Sequence, residues 1–294
     1  MRTHTITLDG KPRRPAWLLL LALLFTMASF MPPAMATSHV RVELVDAGWL
    51  DTTGRKTVPG LDAPARARLA AVVVRLQPGW KTYWRMPGDG GVPPRFDFSG
   101  SENLEAVHVL WPAPTRHTYP MAGDVIGYEN TVVFPLLVIP ADPARPVRLS
   151  MRLDFGVCGK ICMPATATAT LVLPPRASPN EQTRQLVLSW LGKTPFFDPP
   201  DLQVRDARLE ERDGRLNLLL TLSGPRADRV SDILVEGMDL AVFGKPRKVR
   251  GDDGSVTYAL PVRGLAERKD FRGARLRLTI LLGDRAIERV LSLP

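Results

Sequence analysis

The strongest constraint on the fold is an alternation of apolar and polar residues with a period of two. The segment VRLSMRLDF, residues 147–155, alternates strictly, and TATATLVL, residues 166–173, behaves in the same way. Successive side chains of a β-strand point to opposite faces, so the alternation predicts strands with one buried face. Glycine and proline pairs such as Pro78-Gly79 separate these segments. Short strands between turns predict an all-β chain of antiparallel β-sandwiches.

One segment breaks this period and is interpreted as the boundary between two domains. SPNEQTRQLVLSWLG, residues 178–192, predicts a helix with Ser178 as N-cap, Pro179 in the first turn and Gly192 as a left-handed C-terminal cap. A turn-rich stretch follows it, and the alternation then resumes without any cysteine or histidine. We therefore expect a second all-β domain that packs or docks and carries no chemistry.

The N-terminus has the pattern of a secretory signal. Basic residues ending at Arg14 precede an apolar run at 16–31, and the small-x-small pattern Ala34-Met35-Ala36 follows. The run is too short for a typical membrane span, so we favour a signal peptide over an uncleaved anchor. No other apolar run approaches membrane length. We expect a periplasmic location in a Gram-negative bacterium and no stable membrane insertion after cleavage.

The net charge of +9 does not by itself indicate a nucleic-acid partner. Basic residues such as Arg148 and Arg152 alternate with apolar ones, as on the solvated face of a strand, instead of clustering with aromatic residues. No Ser-His-Asp or paired-carboxylate arrangement stands out, so a hydrolase has no support. We predict no nucleic-acid binding.

The chain contains only two cysteines, Cys158 and Cys162, within FGVCGKICMPA. In an oxidising compartment they are expected to pair. A purely structural bridge is one interpretation, but closing a loop of about five residues stabilises a fold by only about 2 kcal/mol. Half of a tetrahedral metal site is a second interpretation. Cu(I) would suit such a site, with soft or imidazole ligands from Met163, Met121, His117 or His108.

A redox pair is the third interpretation of the same two cysteines. Thiol–disulfide exchange needs one accessible thiol that attacks a partner and a nearby thiol that resolves the mixed disulfide. Lys160 lies between the cysteines in sequence, where its positive charge would favour a thiolate. Spacing alone leaves all three interpretations open.

Several motifs carry a resemblance to a known family. They are DFGVCGKICMPATATATLVLP around the cysteines, GWKTYWRMPGDGGVPPRFDF, VLWPAPTRH and GYENTVVFPLLV. In this order they resemble the N-terminal domain of the thiol:disulfide interchange protein DsbD and its copper-sensitivity-suppressor relatives, ScsB. The resemblance covers residues 38–175 and extends more loosely over the second domain. It implies an immunoglobulin-like domain whose cysteines shuttle electrons, with Cys162 as the attacking thiol and Cys158 as the resolving thiol.

The resemblance also implies a cap loop that shields the cysteine pair. Counting back from GYEN places the cap at residues 119–123, with Tyr119 or Met121 as the shield. The acidic residues of the family's loop are missing, and only Asp124 lies close by. Tyr83 and Trp84 have two interpretations, as an aromatic core beside a turn or as a wall of the cysteine groove.

We therefore predict a periplasmic thiol–disulfide exchange protein that needs no cofactor and no metal. It would pass electrons between a membrane-embedded thiol reductase and periplasmic thioredoxin-like proteins, in processes such as cytochrome c maturation or copper tolerance. The sequence shows no polytopic membrane segment, so we expect the reductase to be a separate protein. The alternatives are a copper-binding protein that uses the same thiols, or a non-catalytic docking module.

The predicted organisation has four parts: a signal peptide at 1–36, a DsbD N-terminal-like redox β-sandwich at 37–174, a helix and linker at 175–200, and a second immunoglobulin-like β-sandwich at 201–294.

Overall fold

A computed structural model describes most of the chain after the predicted signal. The described residues are 39–51, 66–119, 123–176, 178–197, 201–212, 214–238, 241–252, 254–264, 271–283 and 285–294. The predicted signal peptide and Met121 of the predicted cap lie outside them. Residues 39–294 form one compact unit. Within the described ranges, no helix has the length and apolar character needed to cross a membrane.

The described elements are nineteen strands, one α-helix and a short 3-10 turn at Ala227–Arg229. The first group is β1 Val40–Asp51, β2 Arg66–Leu76, β3 Lys81–Gly88, β4 Arg95–Asp97, β5 Leu104–Val109, β6 Thr115–Tyr119, β7 Gly123–Glu129, β8 Thr131–Pro140, β9 Val147–Cys158, β10 Cys162–Leu173 and α1 Glu181–Leu191. The second group is β11 Phe196–Phe197, β12 Gln203–Arg212, β13 Arg215–Ser223, β14 Asp232–Glu236, β15 Val242–Phe243, β16 Arg247–Asp252, β17 Ser255–Arg263, β18 Arg275–Leu282 and β19 Arg285–Ser292.

The first sandwich, made of β1–β10 and α1, has two antiparallel sheets. One has the strand order β1-β2-β8-β5, and the other has the order β10-β9-β3-β7-β6 with β4 beside β9. On β9 every second residue from Val147 to Phe155 is buried, whereas Arg148 and Arg152 are exposed. Strand β9 therefore buries one of its faces, as the alternation predicts.

Helix α1 packs against the first sandwich through Val187 and Leu191, which join a buried cluster with β1, β2 and β8. Its predicted caps are wrong. The N-cap is Asn180, whose Oδ1 accepts a hydrogen bond from the Thr183 N–H at 3.1 Å, and not Ser178. Asn and Ser are equally good N-caps, so the cap residue alone does not fix where the helix begins.

The C-terminal cap also differs from the prediction. Gly192 has φ −64° and ψ −19°, the right-handed helical conformation, and its N–H donates to the Leu188 carbonyl at 3.0 Å. The helix therefore ends without a left-handed residue at Gly192. Its last turn is closed instead by ordinary backbone hydrogen bonds.

The second sandwich, made of β11–β19, has sheets in the orders β11-β19-β18-β14 and β12-β13-β17-β15, with β16 also paired to β17. Its core contains Leu218, Leu220, Leu278 and Ile280, among others. Strand β11 lies within the predicted linker but pairs in parallel with β19. The chain is nearly all-β with mainly antiparallel pairing, and the predicted fold class is confirmed, whereas the domain limits remain predictions.

Ion pairs and apolar contacts join the two sandwiches. Arg85 of β3 donates three hydrogen bonds to Glu236, two from Nε at 3.0 Å and one from Nη2 at 2.7 Å, and also pairs with Glu288 of β19. Leu234 and Leu281 of the second sandwich belong to the hydrophobic cluster of the first. The second sandwich is therefore packed directly on the sheet that contains β3 and β6.

Candidate functional site

The two cysteines face each other where the β9–β10 hairpin meets its turn. Cys158 and Cys162 are direct partners in the strand register, with Cα atoms 4.0 Å apart, and form a disulfide. The turn between them packs closely on Trp80. A Cβ built at Gly159 would lie 2.8 Å from the indole ring. Trp80 in turn stacks on His39, with ring centroids 3.9 Å apart. A glycine at position 159 is what allows the turn to lie this close.

A row of four paired residues crosses the sheet at the level of the disulfide. Cys162 pairs with Cys158, Cys158 with Lys81 of β3, and Lys81 with Glu129 of β7. Directly paired residues of neighbouring strands share one face of a sheet. The register therefore places a lysine beside the cysteine pair and a carboxylate beyond the lysine.

Lys81 is held in this row by two partners. Its Nζ lies 3.2 Å from Glu129 Oε1, and it donates a hydrogen bond to the Tyr119 hydroxyl. Burial lowers the pKa of Lys81, but the bonds to Tyr119 and Glu129 outweigh burial and raise the pKa above its usual value. Lys81 is therefore a fixed positive charge near the disulfide.

Tyr83 provides the direct polar contact to the sulfur. Its hydroxyl donates to Cys162 Sγ at an O···S distance of 3.4 Å. Its ring fits between two glycines, since a Cβ would lie 2.7 Å from the ring at Gly156 and 2.4 Å from it at Gly91. Burial raises the pKa of Tyr83, partly offset by the charge of Lys81. The hydroxyl therefore keeps its proton at neutral pH and can donate it in a hydrogen bond.

These residues surround a groove of about 620 Å³, here called the cysteine groove. Both cysteines line it, together with Lys81, Tyr83, Tyr119 and Met163. The backbone of the loop at residues 90–92 forms another part of its wall. Cys162 is exposed and Cys158 half-buried, so Cys162 is the more accessible residue of the pair.

Two carboxylates fix the chain segments that form the rim of this groove. Asp89 Oδ2 accepts from the Asp124 N–H at 2.7 Å, and Asp124 accepts from Thr118 and Arg116, both at 2.7 Å. Burial would raise the pKa of Asp124, but the bonds from Thr118 and Arg116 lower it below its usual value. The loop after β3 and the ends of β6 and β7 are therefore tied together.

Comparison with known families identifies the first sandwich. Residues 56–174 match the family described as "Thiol:disulfide interchange protein DsbD, N-terminal". The chain carries a DsbD/ScsB-family N-terminal domain. Residues 193–293 match a second family, described as a domain of unknown function (DUF8393). A search of the curated proteins found no match.

A solved structure shares the fold over most of the chain. It is the N-terminal periplasmic domain of ScsB from Proteus mirabilis, with a TM-score of 0.59 and 20% sequence identity. The match covers 85% of this chain and 99% of the ScsB chain. At this identity the similarity shows the fold, which extends beyond the DsbD-type domain into the second sandwich.

The DsbD-type domain brings together most of the residues predicted for its site. Cys158, Cys162, Tyr83 and Tyr119 all line the cysteine groove. Tyr119 is 36% exposed, and its ring lies against Lys81 Nζ, 4.7 Å from the ring centroid. The groove therefore has two tyrosines on its walls, one beside the sulfur and one nearer the solvent.

Two predicted residues lie elsewhere. Trp84 is fully buried in the core, which corrects the groove-wall interpretation. Adjacent residues of a strand point to opposite faces, so Tyr83 reaches the groove and Trp84 packs inside. Lys160 is exposed in the turn and is not a lining residue of the groove. The positive charge at the groove comes from Lys81.

The predicted copper ligands are only partly together. Met163 lines the groove with the cysteines, but His108 lies on β5 of the other sheet. His117 has its Nδ1 at 3.5 Å from Glu129 Oε1, and burial lowers the pKa of His117. In the described part of the chain, no group of three His, Cys, Asp or Glu side chains could hold a metal ion.

Sequence reasoning assigned no role to Lys81, Glu129, Gly91 or Gly156. Lys81 is brought beside Cys158, and Glu129 beside Lys81, by pairing between strands that are far apart in sequence. No local pattern reveals such pairing. Gly156 had a readable signal, because a glycine inside a strand indicates a close approach by another group. In this structure that group is the ring of Tyr83.

Proposed function

We propose that this protein carries out thiol–disulfide exchange in the periplasm through Cys158 and Cys162. The observation that supports this most directly is the placement of the pair at the mouth of a groove, with Cys162 exposed. A structural bridge between neighbouring strands would gain little from such exposure. Its loop is short, and it joins strands that are already paired along their length.

The exchange would proceed in two steps from the reduced form. The thiolate of Cys162 attacks a sulfur of the partner's disulfide, forms a mixed disulfide, and releases the partner's second sulfur as a thiolate that takes up a proton. The thiolate of Cys158 then attacks the Cys162 sulfur, closes the Cys158–Cys162 bond, and releases the partner's remaining thiolate. Two electrons and two protons pass to the partner, and a dithiol donor reverses the sequence to restore the reduced protein.

Two neighbours would assist the attacking sulfur. The Tyr83 hydroxyl is placed to donate a hydrogen bond to a Cys162 thiolate, and the nearby positive charge of Lys81 favours the anionic form. Tyr119, half-exposed at the groove, would act as a shield. The predicted partners are periplasmic thioredoxin-like proteins and a membrane-embedded thiol reductase, and the chemistry itself needs no cofactor.

Trapping a mixed disulfide tests this proposal. The variant Cys158→Ser keeps the attacking sulfur and lacks the resolving one, so it should accumulate a covalent complex with a thioredoxin-like protein in its disulfide form. The variant Cys162→Ser is the matched control and should accumulate far less. Equal trapping by both variants, or none by either, would contradict the assigned roles.

The reduction potential of the pair gives a second, independent test. Structural disulfides in secreted proteins have potentials below about −300 mV, whereas exchanging ones are more oxidising. A value below that limit would identify an inert bridge and favour a docking module. Tight Cu(I) binding by the reduced protein, weakened by Met163→Ala, would instead favour the copper-binding alternative.

A further inference from the structure

The second sandwich is bonded directly to a loop that forms a wall of the cysteine groove. Arg263, on β17, donates from Nη2 to both carboxylate oxygens of Asp89, each at 2.8 Å. Asp89 lies just before residues 90–92, which line the groove. The side chain of Arg263 is 55% exposed and that of Asp89 is 22% exposed. A residue outside the DsbD-type domain therefore binds the base of the groove wall.

A neighbouring segment of the groove wall has an anchor of the same kind. Arg116, on β6, donates to Asp124 at 2.7 Å and to Asp232 of the second sandwich at 2.8 Å. All three side chains of this group are at least nine-tenths buried. Strand β6 carries Tyr119 at its far end. Both of these wall segments, the loop that begins at Asp89 and strand β6, are thus tied to the second sandwich.

A continuous chain of contacts leads from Arg263 to the sulfur. Arg263 binds Asp89, and the loop that begins there places the Gly91 backbone against the Tyr83 ring. Gly156 supports the other side of the ring, and the Tyr83 hydroxyl contacts Cys162 Sγ at 3.4 Å. A phenol wedged between two backbone segments can move only if one of them moves. The Asp89 loop is the one held from outside the sheet.

We propose that the second sandwich positions the Tyr83 hydroxyl on Cys162 through Arg263 and Asp89. Both are positioning residues, because they act on the reacting sulfur only through Tyr83. This inference rests on the proposed exchange function and deepens it. It gives the second sandwich a task in the reaction, namely to keep the groove wall in the arrangement that supports a thiolate.

The test uses the reactivity of a single thiol. In the Cys158→Ser background Cys162 is the only cysteine, so the rate of its alkylation by iodoacetamide at several pH values reports its thiolate directly. Adding Arg263→Gln should shift the pH profile upward and slow alkylation at pH 7 by about threefold. Asp89→Ala should have the larger effect, because it also removes the acceptor of the Asp124 N–H.

The matched control is Glu236→Gln. It weakens another ion pair between the sandwiches, but Arg85 keeps its bond to Glu288, and neither residue binds the groove loop. Its alkylation profile should equal that of the parent. Lys81, Tyr83 and Tyr119 are the titratable groups that line the groove with the sulfur, and Glu129 and His117 lie beyond Lys81. None of them changes in either variant.

A double-mutant cycle separates positioning from general loosening. Tyr83→Phe removes the hydroxyl and should slow alkylation at pH 7. Arg263→Gln added to Tyr83→Phe should then have no further effect, because the path ends at the hydroxyl. Fully additive effects of Arg263→Gln and Tyr83→Phe on the alkylation rate would overturn the proposal. An unchanged pH profile in Arg263→Gln, or an equal shift of the profile in Glu236→Gln, would also overturn it.

The proposed exchange function is judged on different data. Mixed-disulfide trapping by the Cys158→Ser variant with its second sandwich intact decides whether exchange takes place. If trapping fails, the exchange function fails. If trapping succeeds while Arg263→Gln alkylates like its parent, only the positioning inference fails.

Discussion

The two sandwiches are built by the same alternation but use their polar residues differently. In the first sandwich, glycines at 91 and 156 leave room for a tyrosine ring and a groove. Lys81 lies in that groove beside the cysteines. In the second sandwich, Asp232, Glu236 and Glu288 bind arginines of the first. The first sandwich carries the cysteines and their groove, and the second supplies carboxylates that bind arginines of the first at the interface.

Replacing Cys162, the proposed attacking cysteine, should give the largest effect, a loss of exchange with only a small loss of stability. Cys162→Ser should abolish exchange, because the one cysteine that remains, Cys158, is half-buried and has no second thiol beside it to resolve a mixed disulfide. Loss of this short bridge should lower the free energy of unfolding by only about 2 kcal/mol. A disulfide-reduction assay and urea denaturation measure the two effects. Exchange at the parent rate in this variant would contradict the role given to Cys162.

Breaking a buried ion pair between the two sandwiches should lower stability more than breaking an exposed ion pair on the surface of the second sandwich. Asp232→Asn leaves the buried Arg116 without one of its two carboxylates. Removing one partner of a buried ion pair should cost about 3 kcal/mol of unfolding free energy. Asp206→Asn, in an exposed pair with Arg208, is the control and should cost less than about 1 kcal/mol. Equal costs in urea denaturation would contradict the role given to the interface.

A single added methyl group should distinguish a groove glycine that supports the Tyr83 ring from one that does not. Gly156→Ala places a Cβ 2.7 Å from the Tyr83 ring, so the ring must shift, at a cost of about 1–3 kcal/mol in stability. Gly90→Ala is the matched control, because no heavy atom lies within 4 Å of its Cβ. It should change stability by less than about 0.5 kcal/mol. Thermal denaturation compares them, and equal melting temperatures would argue against the wedge.

Mild acid should give the smallest effect, and only in the first sandwich. Burial lowers the pKa of His108 and His117 in the folded state, with the charges of Glu129 and Lys81 also acting on His117. Below about pH 6.5 the unfolded chain therefore binds more protons than the folded one, so stability falls as the pH falls. Urea denaturation at pH 7.5 and 5.5 measures this loss, which His117→Gln should reduce. The second sandwich contains no histidine. An equal loss of stability in the His117→Gln variant would show that groups other than His117 cause the effect.

The fold was predictable because its signals are local. Alternation defined β9 and β10, and the two cysteines lie at the ends of these strands that flank the turn. The helix was also recognised, but its caps were not. Ser178 and Asn180 are both good N-caps. The choice between them depends on tertiary contacts such as the one between Pro179 and Gly48, where a Cβ built on the glycine would lie 2.9 Å from the proline ring.

The site was predictable only in part, because its composition depends on strand register. Period-two geometry allows either Tyr83 or Trp84 to face the groove, but not both, and sequence alone did not choose between them. Lys81 reaches the cysteines by pairing with Cys158 across the sheet. Arg263 reaches the groove from another sandwich altogether. Contacts of this kind leave no trace in a local pattern.

The position of β19 has a consequence for how the protein matures. This strand lies inside its sheet, between β11 and β18, and brings Glu288 to Arg85. A chain is made from its N-terminus, and domains generally fold as units in that order. Cys158 and Cys162 are therefore made before β17, whose Arg263 binds Asp89 of the groove loop, and before β19. Until the second sandwich has folded, a newly made molecule lacks the contact between Arg263 and Asp89.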